Sequence, residues 1–231
     1  MTKQSQDRHS LRLRDDANML NKNLKLKIIN FNTSVVPTWC PGCGNYLILA
    51  NIINALKQHN YQKHNTVIVY DIGCAGNMAD FIDTYGIHSL HGRCIPTAVG
   101  VKLANPKLNV LAIGGDGGIY GEGLNHLIAS ARSNYPIKVI VSNNFLYSLT
   151  TGQASPATPK GTITKSTPQG TIGEPINPEK LLKAVNPSVF VKSLKASDIP
   201  TLKTSLDTLF KTQGFGLLDI QFNCLSFGKS R

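Results

Sequence analysis

The chain has 231 residues, 41% of them hydrophobic, enough to bury a core in one large or two small domains. Its 24 Lys and Arg outweigh 13 Asp and Glu for a formal charge of +11, yet the basic residues are spread along the chain. That spread argues against a nucleic-acid surface and fits an acidic partner, while the absence of any apolar run near the ~18 residues of a membrane span argues against a membrane protein.

Residues 1–36 read as a basic extension, because Leu11, Leu13, Met19, Leu20, Leu24 and Leu26 hold no helical period. A mobile tail that docks on a partner is expected there, with the folded domain over 37–231. The charged N-terminus lacks an apolar h-region, and Asp7, Asp15 and Asp16 break the acid-poor pattern of a transit peptide, so a cytoplasmic protein is expected. Pro37-Thr38-Trp39-Cys40-Pro41-Gly42-Cys43-Gly44 then sets two thiols on a tight turn, where both can point at one centre.

Leu47, Leu49, Ala50, Ile53 and Leu56 predict a helix, and Thr66 to Ile72 the first core strand, which runs into the glycine turn Gly73-Cys74-Ala75-Gly76. A helix is expected over Met78 to Tyr85 and another over Thr97 to Ala104. Asn109 to Ile113 reads as a buried parallel strand that ends in Gly114-Gly115-Asp116-Gly117-Gly118. Leu124, Leu127, Ile128 and Ala131 mark the crossover helix, and Ile137 to Val141 the next strand, which ends in Ser142-Asn143-Asn144. Ser155 to Pro178 is a long Pro/Gly/Thr/Lys loop of the kind that is functional or disordered in compact domains. A short strand around Val189 to Val191, a helix over Pro200 to Phe210 capped by Ser197 or Asp198, and a last strand over Gly216 to Phe222 complete the chain. Strand and helix alternate, so the fold class expected is α/β with a doubly wound, mostly parallel sheet.

An acid and an amide thus stand at the carboxyl ends of two successive strands, the edge where open α/β sheets bind ligands. Asp116 and Asn144 can offer two oxygens to one Mg²⁺, with diphosphate oxygens filling further positions. Gly-Asp-Gly alone reads as a tight turn; the second half at a suitable distance favours the metal. Of the five cysteines, Cys40, Cys43, Cys74 and Cys224 can converge at one edge of such a sheet. Four thiolates suit Zn²⁺ or an iron–sulfur cluster, and composition does not choose between them.

Gly115-Asp116-Gly117 followed by Asn143-Asn144 resembles the thiamine diphosphate motif. More closely, Gly114-Gly115-Asp116-Gly117, Asn143-Asn144-Phe145-Leu146-Tyr147 and Thr151-Gly152-Gln153-Ala154-Ser155-Pro156 resemble the beta subunit of 2-oxoacid:ferredoxin oxidoreductases. Trp39-Cys40-Pro41-Gly42-Cys43-Gly44-Asn45 and Ile72-Gly73-Cys74 are similar to the same family's opening and third-ligand motifs. The resemblance implies the thiamine diphosphate-binding fold, a [4Fe–4S] cluster on Cys40, Cys43, Cys74 and Cys224, and Mg²⁺ on Asp116, Asn144 and the Leu146 carbonyl.

It further implies a cofactor lined by Ile72, Gly73, Cys74 and Ala75, by His91, Gly92, Arg93 and Cys94, by Gly117 and Gly118, and by Ser148, Leu149, Thr150, Thr151, Gly152 and Gln153. His91 and Arg93 suit a diphosphate, whereas the residues alone give Cys94 as a buried free thiol. The activity implied is oxidative decarboxylation of a 2-oxoacid, pyruvate by default, to acyl-CoA and CO₂, with electrons passed to ferredoxin or flavodoxin and coenzyme A as co-substrate. Glu122, Glu174 and Glu179 are the only glutamates, and none has a strand-end setting suited to thiamine activation. In the family it resembles that group comes from the alpha subunit, so the resemblance implies an alpha, or fused alpha–gamma, partner, with no catalytic residue assigned in this chain. Asn77 stands where some members carry a basic residue, which leaves the 2-oxoacid open. The alternative is a non-redox thiamine decarboxylase or synthase subunit with structural zinc.

Overall fold

The structure, a computed structural model, describes residues 29–228. Most of the expected N-terminal extension lies outside the described residues. A compact unit begins at Phe31, ahead of the expected boundary at Pro37. Phe31 is fully buried, its carbonyl accepts from the Asp83 amide (2.8 Å), and Asn32 bridges Ile82.

Among the described residues six parallel strands form the sheet, in the order β2-β1-β3-β4-β8-β7. They are β1 (Thr66–Tyr70), β2 (Tyr85–His88), β3 (Asn109–Gly115), β4 (Lys138–Asn143), β7 (Phe190–Lys195) and β8 (Gly216–Gln221). β5 (Leu146–Tyr147) and β6 (Gln153–Ala154) form a small antiparallel hairpin between β4 and β7. Among the described residues five helices flank the sheet: α1 (Gly44–Gln58), α2 (Cys94–Ala104), α3 (Leu124–Arg132), α4 (Pro178–Val185) and α5 (Ile199–Lys211).

The β-branched runs of β1, β3 and β4 are buried on both faces, as parallel strands under helices must be. One face carries Val67, Val69, Val110, Ala112, Val139 and Val141, packed with Ile95 and Ala98 of α2, Leu127 and Ala131 of α3 and Leu182 of α4. The alternate residues Ile68, Tyr70, Leu111, Ile113, Ile140 and Leu218 are equally buried. α1 and α5 pack on each other, and α5 lies against β7 and β8. The doubly wound, mostly parallel α/β fold is as expected. No helix among the described residues is long and apolar enough to cross a membrane.

Three local expectations are corrected. Met78 to Tyr85 is not a helix: a 3₁₀ turn over Gly76–Asp80 gives way to β2. All four residues of β2 are exposed at the sheet edge, so no burial pattern marked them in the sequence. α2 starts at Cys94 and not at Thr97, because Pro96 falls in its first turn, where a missing N–H costs nothing. The unforeseen α4 is only eight residues long; the Asn177 side chain caps it by accepting from the Lys180 amide (3.0 Å), with Pro178 at its first position. Asp198 is the cap of α5, accepting from the Thr201 amide.

The connectivity positions the site. The chain steps outward from β1 to β2, then returns to lay β3 on the other side of β1. The reversal opens a crevice at the carboxyl ends of β1 and β3, the place where doubly wound sheets bind ligands.

The opposite edge carries an unusual cation. Lys138 opens β4 and is only 7% exposed; its ammonium donates to the carbonyls of Thr212 and Gly214. Burial, with Lys102 nearby, pushes its pKa down from 10.5 to about 8. The folded state thus binds this proton less tightly than the unfolded chain does, so stability rises with pH from about 8 toward the unfolded value. The Lys138→Met variant is expected to flatten that rise, which is worth at most about 3 kcal/mol. Urea denaturation of both proteins between pH 7.5 and 9.5 tests this; parallel curves would refute it.

Candidate functional site

Three strand ends meet at the crevice. β1 delivers Asp71 and the turn Ile72-Gly73-Cys74-Ala75, in which Gly73 has φ +110°. β3 delivers Gly115 to Gly118, followed by one π-helical turn over Gly118–Glu122. β4 delivers Asn143 and Asn144 and then turns through Phe145, whose φ of +66° is rare for a bulky residue.

Asn143 braces that turn. Its Oδ1 accepts from the Phe145 amide (3.1 Å), and its amide donates to the buried Asp219 (3.0 Å), which also accepts from the Tyr120 hydroxyl (2.9 Å). Asn144 Oδ1 accepts from the Leu146 amide (3.0 Å) and the Ser148 hydroxyl (3.1 Å).

Asp116 is 1% exposed. Its carboxylate accepts from the Asn144 amide (3.2 Å) and the Ser155 hydroxyl, yet burial outweighs both bonds and pushes the acid up to about 7. Asp71 is fully buried, and burial likewise raises its pKa. One oxygen accepts from the amides of Ile72 and Gly92 (both 2.8 Å); the other finds no hydrogen-bond partner among the described residues. Glu122 stands at the rim, 3.2 Å from His91 Nδ1 and bonded by the Tyr147 hydroxyl. The edge thus holds two buried carboxylates, Asp71 and Asp116, so a cation placed there would relieve buried negative charge. Asp116 with the Asn144 oxygen is a hard-donor pair of the type Mg²⁺ takes.

A cavity of about 70 Å³ sits among these groups. Of the expected cofactor residues, Ile72 to Ala75, His91, Gly117, Gly118 and Ser148 to Thr150 line it, together with Asp116, Asn144 and Leu146. Gly92, Arg93, Cys94, Thr151, Gly152 and Gln153 do not. Gly92 (φ +69°) makes the turn tied to Asp71. Arg93 donates to the Glu122 carbonyl (3.1 Å), and Cys94 is sealed in the core at the start of α2. Thr151 and Gly152 form the β5–β6 turn, and Gln153 accepts from Thr150 (2.7 Å). Asp71, Ser155 and Tyr147 were not foreseen as site residues. An acid at a strand end was the available signal for Asp71; the contacts of the other two span too much chain to be read locally.

The glycines are required by close approach. A methyl group on Gly118 would sit 1.8 Å from Asp71 Oδ2, and one on Gly117 2.2 Å from the Tyr147 ring. Because two amides fix Asp71, Gly118→Ala is expected to destabilise the fold by about 3 kcal/mol. Gly100→Ala, in open space on α2, is expected to be neutral or slightly stabilising. Chemical denaturation of both variants checks the contrast; a Gly118→Ala as benign as Gly100→Ala would refute the packing.

A second cavity, about 240 Å³, adjoins the first and shares Cys74, Asn144, Ser148 and Leu149 with it. Cys40, Cys43, Cys74 and Cys224 all line it. Gly42 (φ +80°) and the bond from the Cys43 amide to the Cys40 carbonyl (3.0 Å) make the tight turn, and Trp39 Nε1 ties it to the Cys74 carbonyl (2.7 Å). Burial raises Cys43 and pushes Cys74 up to about 11; Cys40 and Cys224 push Cys43 further up, and Cys43, Cys224 and Cys40 do the same to Cys74. Among the described residues no three His, Cys, Asp or Glu side chains are grouped tightly enough for a single metal ion. The four thiols line one space, and four thiolates suit either a polynuclear cluster or one tetrahedral ion.

Residues 71–220 match the family described as thiamine pyrophosphate enzyme, C-terminal TPP binding domain. The beta subunit of 2-oxoacid:ferredoxin oxidoreductase 1 of Aeropyrum pernix is 43% identical over 138 residues, 60% of this chain and 43% of that protein. The 2-oxoacid:ferredoxin oxidoreductase beta subunit of Saccharolobus solfataricus is 40% identical over 82% of this chain and 62% of its own length. The 2-oxoglutarate synthase subunit KorB of Archaeoglobus fulgidus is 42% identical over 58% and 50%. The chain thus spans about half the length of the curated relatives it matches. A structure of 2-oxoglutarate:ferredoxin oxidoreductase from Magnetococcus marinus, with 2-oxoglutarate, coenzyme A and succinyl-CoA bound, aligns with a TM-score of 0.84 at 29% identity over 89% of this chain and 72% of that one.

Proposed function

The chain belongs to the thiamine pyrophosphate enzymes through their C-terminal TPP binding domain, and on that premise we propose that it works as the beta subunit of a 2-oxoacid:ferredoxin oxidoreductase. The observation that carries this reading is the junction of the two cavities: Cys74 lines both the Asp116–Asn144 cleft and the four-thiol space.

In this reading Asp116, the Asn144 side chain and the Leu146 carbonyl hold Mg²⁺, and His91 faces the diphosphate. Cys40, Cys43, Cys74 and Cys224 hold a [4Fe–4S] cluster. Thiamine diphosphate supplies the carbanion chemistry that 2-oxoacid decarboxylation needs, and the cluster beside it an electron outlet toward ferredoxin. The chain's own residues orient and shield. Ser148 fixes the Asn144 oxygen, Ser155 and the Asn144 amide hold the Asp116 carboxylate, and Tyr147 covers Gly117.

A cavity of about 70 Å³ holds only part of a cofactor of this size. Ile72 and Leu149 stay exposed at its rim, which supports completion of the site by an alpha subunit. That subunit would also bring the activating glutamate: Glu122 is engaged by His91 and Tyr147, Glu174 by Lys160, and Glu179 by the Ser193 amide. Pyruvate is the proposed substrate. 2-Oxoglutarate is the second reading, favoured by the relatives named for it.

The test is anaerobic purification with the alpha partner, measuring iron, acid-labile sulfide and zinc. About four iron and four sulfide per chain are expected, bleached by one 2-oxoacid plus coenzyme A; the acid that bleaches identifies the substrate. Zinc without iron would move the function to the non-redox alternative.

A further inference from the structure

A third cavity opens at the other end of the sheet, where β3 and β4 begin. It measures about 360 Å³, and its walls include Lys102, Lys138, His59, Tyr61 and Phe210. Phe210 packs between the rings of His59 and Tyr61, with centroids 5.2 and 5.1 Å away, which makes that wall stiff. Among the described residues no acidic side chain lines the space.

The two lysines are the unusual feature. Lys138 donates to the carbonyls of Thr212 and Gly214, and Lys102 to those of Pro106 (2.8 Å) and Leu108 (2.6 Å). Each ammonium has three donors and uses two of them on carbonyls. Neither forms an ion pair among the described residues, where Asp207 is engaged by His59 (3.2 Å) and Lys211 (2.7 Å). The carbonyls fix both head groups without neutralising them. Burial lowers the pKa of both, and the charge of Lys102 lowers that of Lys138 further. Holding such a pair in a walled space with no counter-charge is costly unless an anion completes it.

We infer that this cavity binds a phosphate-type oxyanion between Lys138 and Lys102, at the sheet edge opposite the cofactor cleft. Each ammonium has one donor left for the anion, a charge-assisted contact. The space exceeds what a phosphate group fills, so it has room for the ester that carries one. Because it lies at the amino ends of β3 and β4, the site stands independently of the proposed function.

The test is titration calorimetry on the full chain with inorganic phosphate, without divalent cations, against chloride at matched ionic strength. Wild type is expected to bind phosphate and to melt at a higher temperature in it, with no matching effect of chloride. Lys138→Met and the half-exposed Lys102→Gln are each expected to weaken phosphate binding at least tenfold, the second variant guarding against misfolding of the first. ADP as a second probe separates the sources. Tighter binding than phosphate, lost in both variants, means an ester; weaker binding means the free ion. Phosphate that acts no differently from chloride, or that binds both variants as it binds wild type, would overturn the inference.

Discussion

Asp116→Asn is expected to abolish Mg²⁺-dependent binding of thiamine diphosphate while leaving the fold intact. The substitution keeps the shape of a side chain that is 1% exposed and removes only its capacity for charge. The amide oxygen can still accept from the Asn144 backbone amide, and the NH2 that replaces the other oxygen can donate to the Ser155 hydroxyl, which turns to accept it. The apo fold has little to lose, because burial already pushes the acid up to about 7 and makes its charged form unfavourable. A divalent cation has much to lose, since Asp116 is its only charged ligand in the proposed set. A loss of a hundredfold or more in affinity is expected, about 3 kcal/mol. Calorimetric titration of thiamine diphosphate with Mg²⁺ into the complex with the alpha partner measures it, with thermal denaturation as the control. An unchanged affinity would remove Asp116 from the site; a collapsed melting temperature would show that its role is structural.

The sequence revealed the fold where burial on both faces forces a continuous apolar run. β1, β3 and β8 were legible for that reason, and their glycine- and asparagine-rich ends marked the ligand edge. β2 was not, because a four-residue exposed edge strand has no pattern to read. α4 was hidden by its length, with one cap and two turns.

The site divides in the same way. Asp116, Asn144 and His91 lie on local motifs and face the cleft. Arg93 and Cys94 follow His91 closely in sequence, but the start of α2 rotates Cys94 into the core and the Glu122 carbonyl draws Arg93 aside. Ser155 reaches Asp116 from 39 residues further on, and Asp71 braces Gly92 across 21. Such contacts depend on how strands are ordered, which no local window contains.

Loss of the cluster from Cys74→Ala, beside its retention in Cys94→Ala, is the second large effect expected. Both thiols are buried wholly or in part, both follow the same arm of the sheet, and burial raises both. They differ in what they face. Cys74 lines the four-thiol space and feels the charges of Cys40, Cys43 and Cys224; Cys94 packs among Val67, Val69 and Ile95. A thiol at about 11 is protonated at neutral pH, so Cys74 serves as a ligand only when a bound metal draws the proton off. In the proposed reading the cluster iron does this.

Cys94→Ala removes one buried sulfur and is expected to cost about 1–2 kcal/mol in stability while keeping the full iron and sulfide complement. Cys74→Ala is expected to retain under a tenth of the iron after anaerobic reconstitution, with the fold preserved by far-ultraviolet circular dichroism. Iron retained in Cys74→Ala would take this thiol out of the ligand set and leave the junction of the two cavities without its redox meaning. Iron lost equally from both variants would point to general destabilisation instead of ligation.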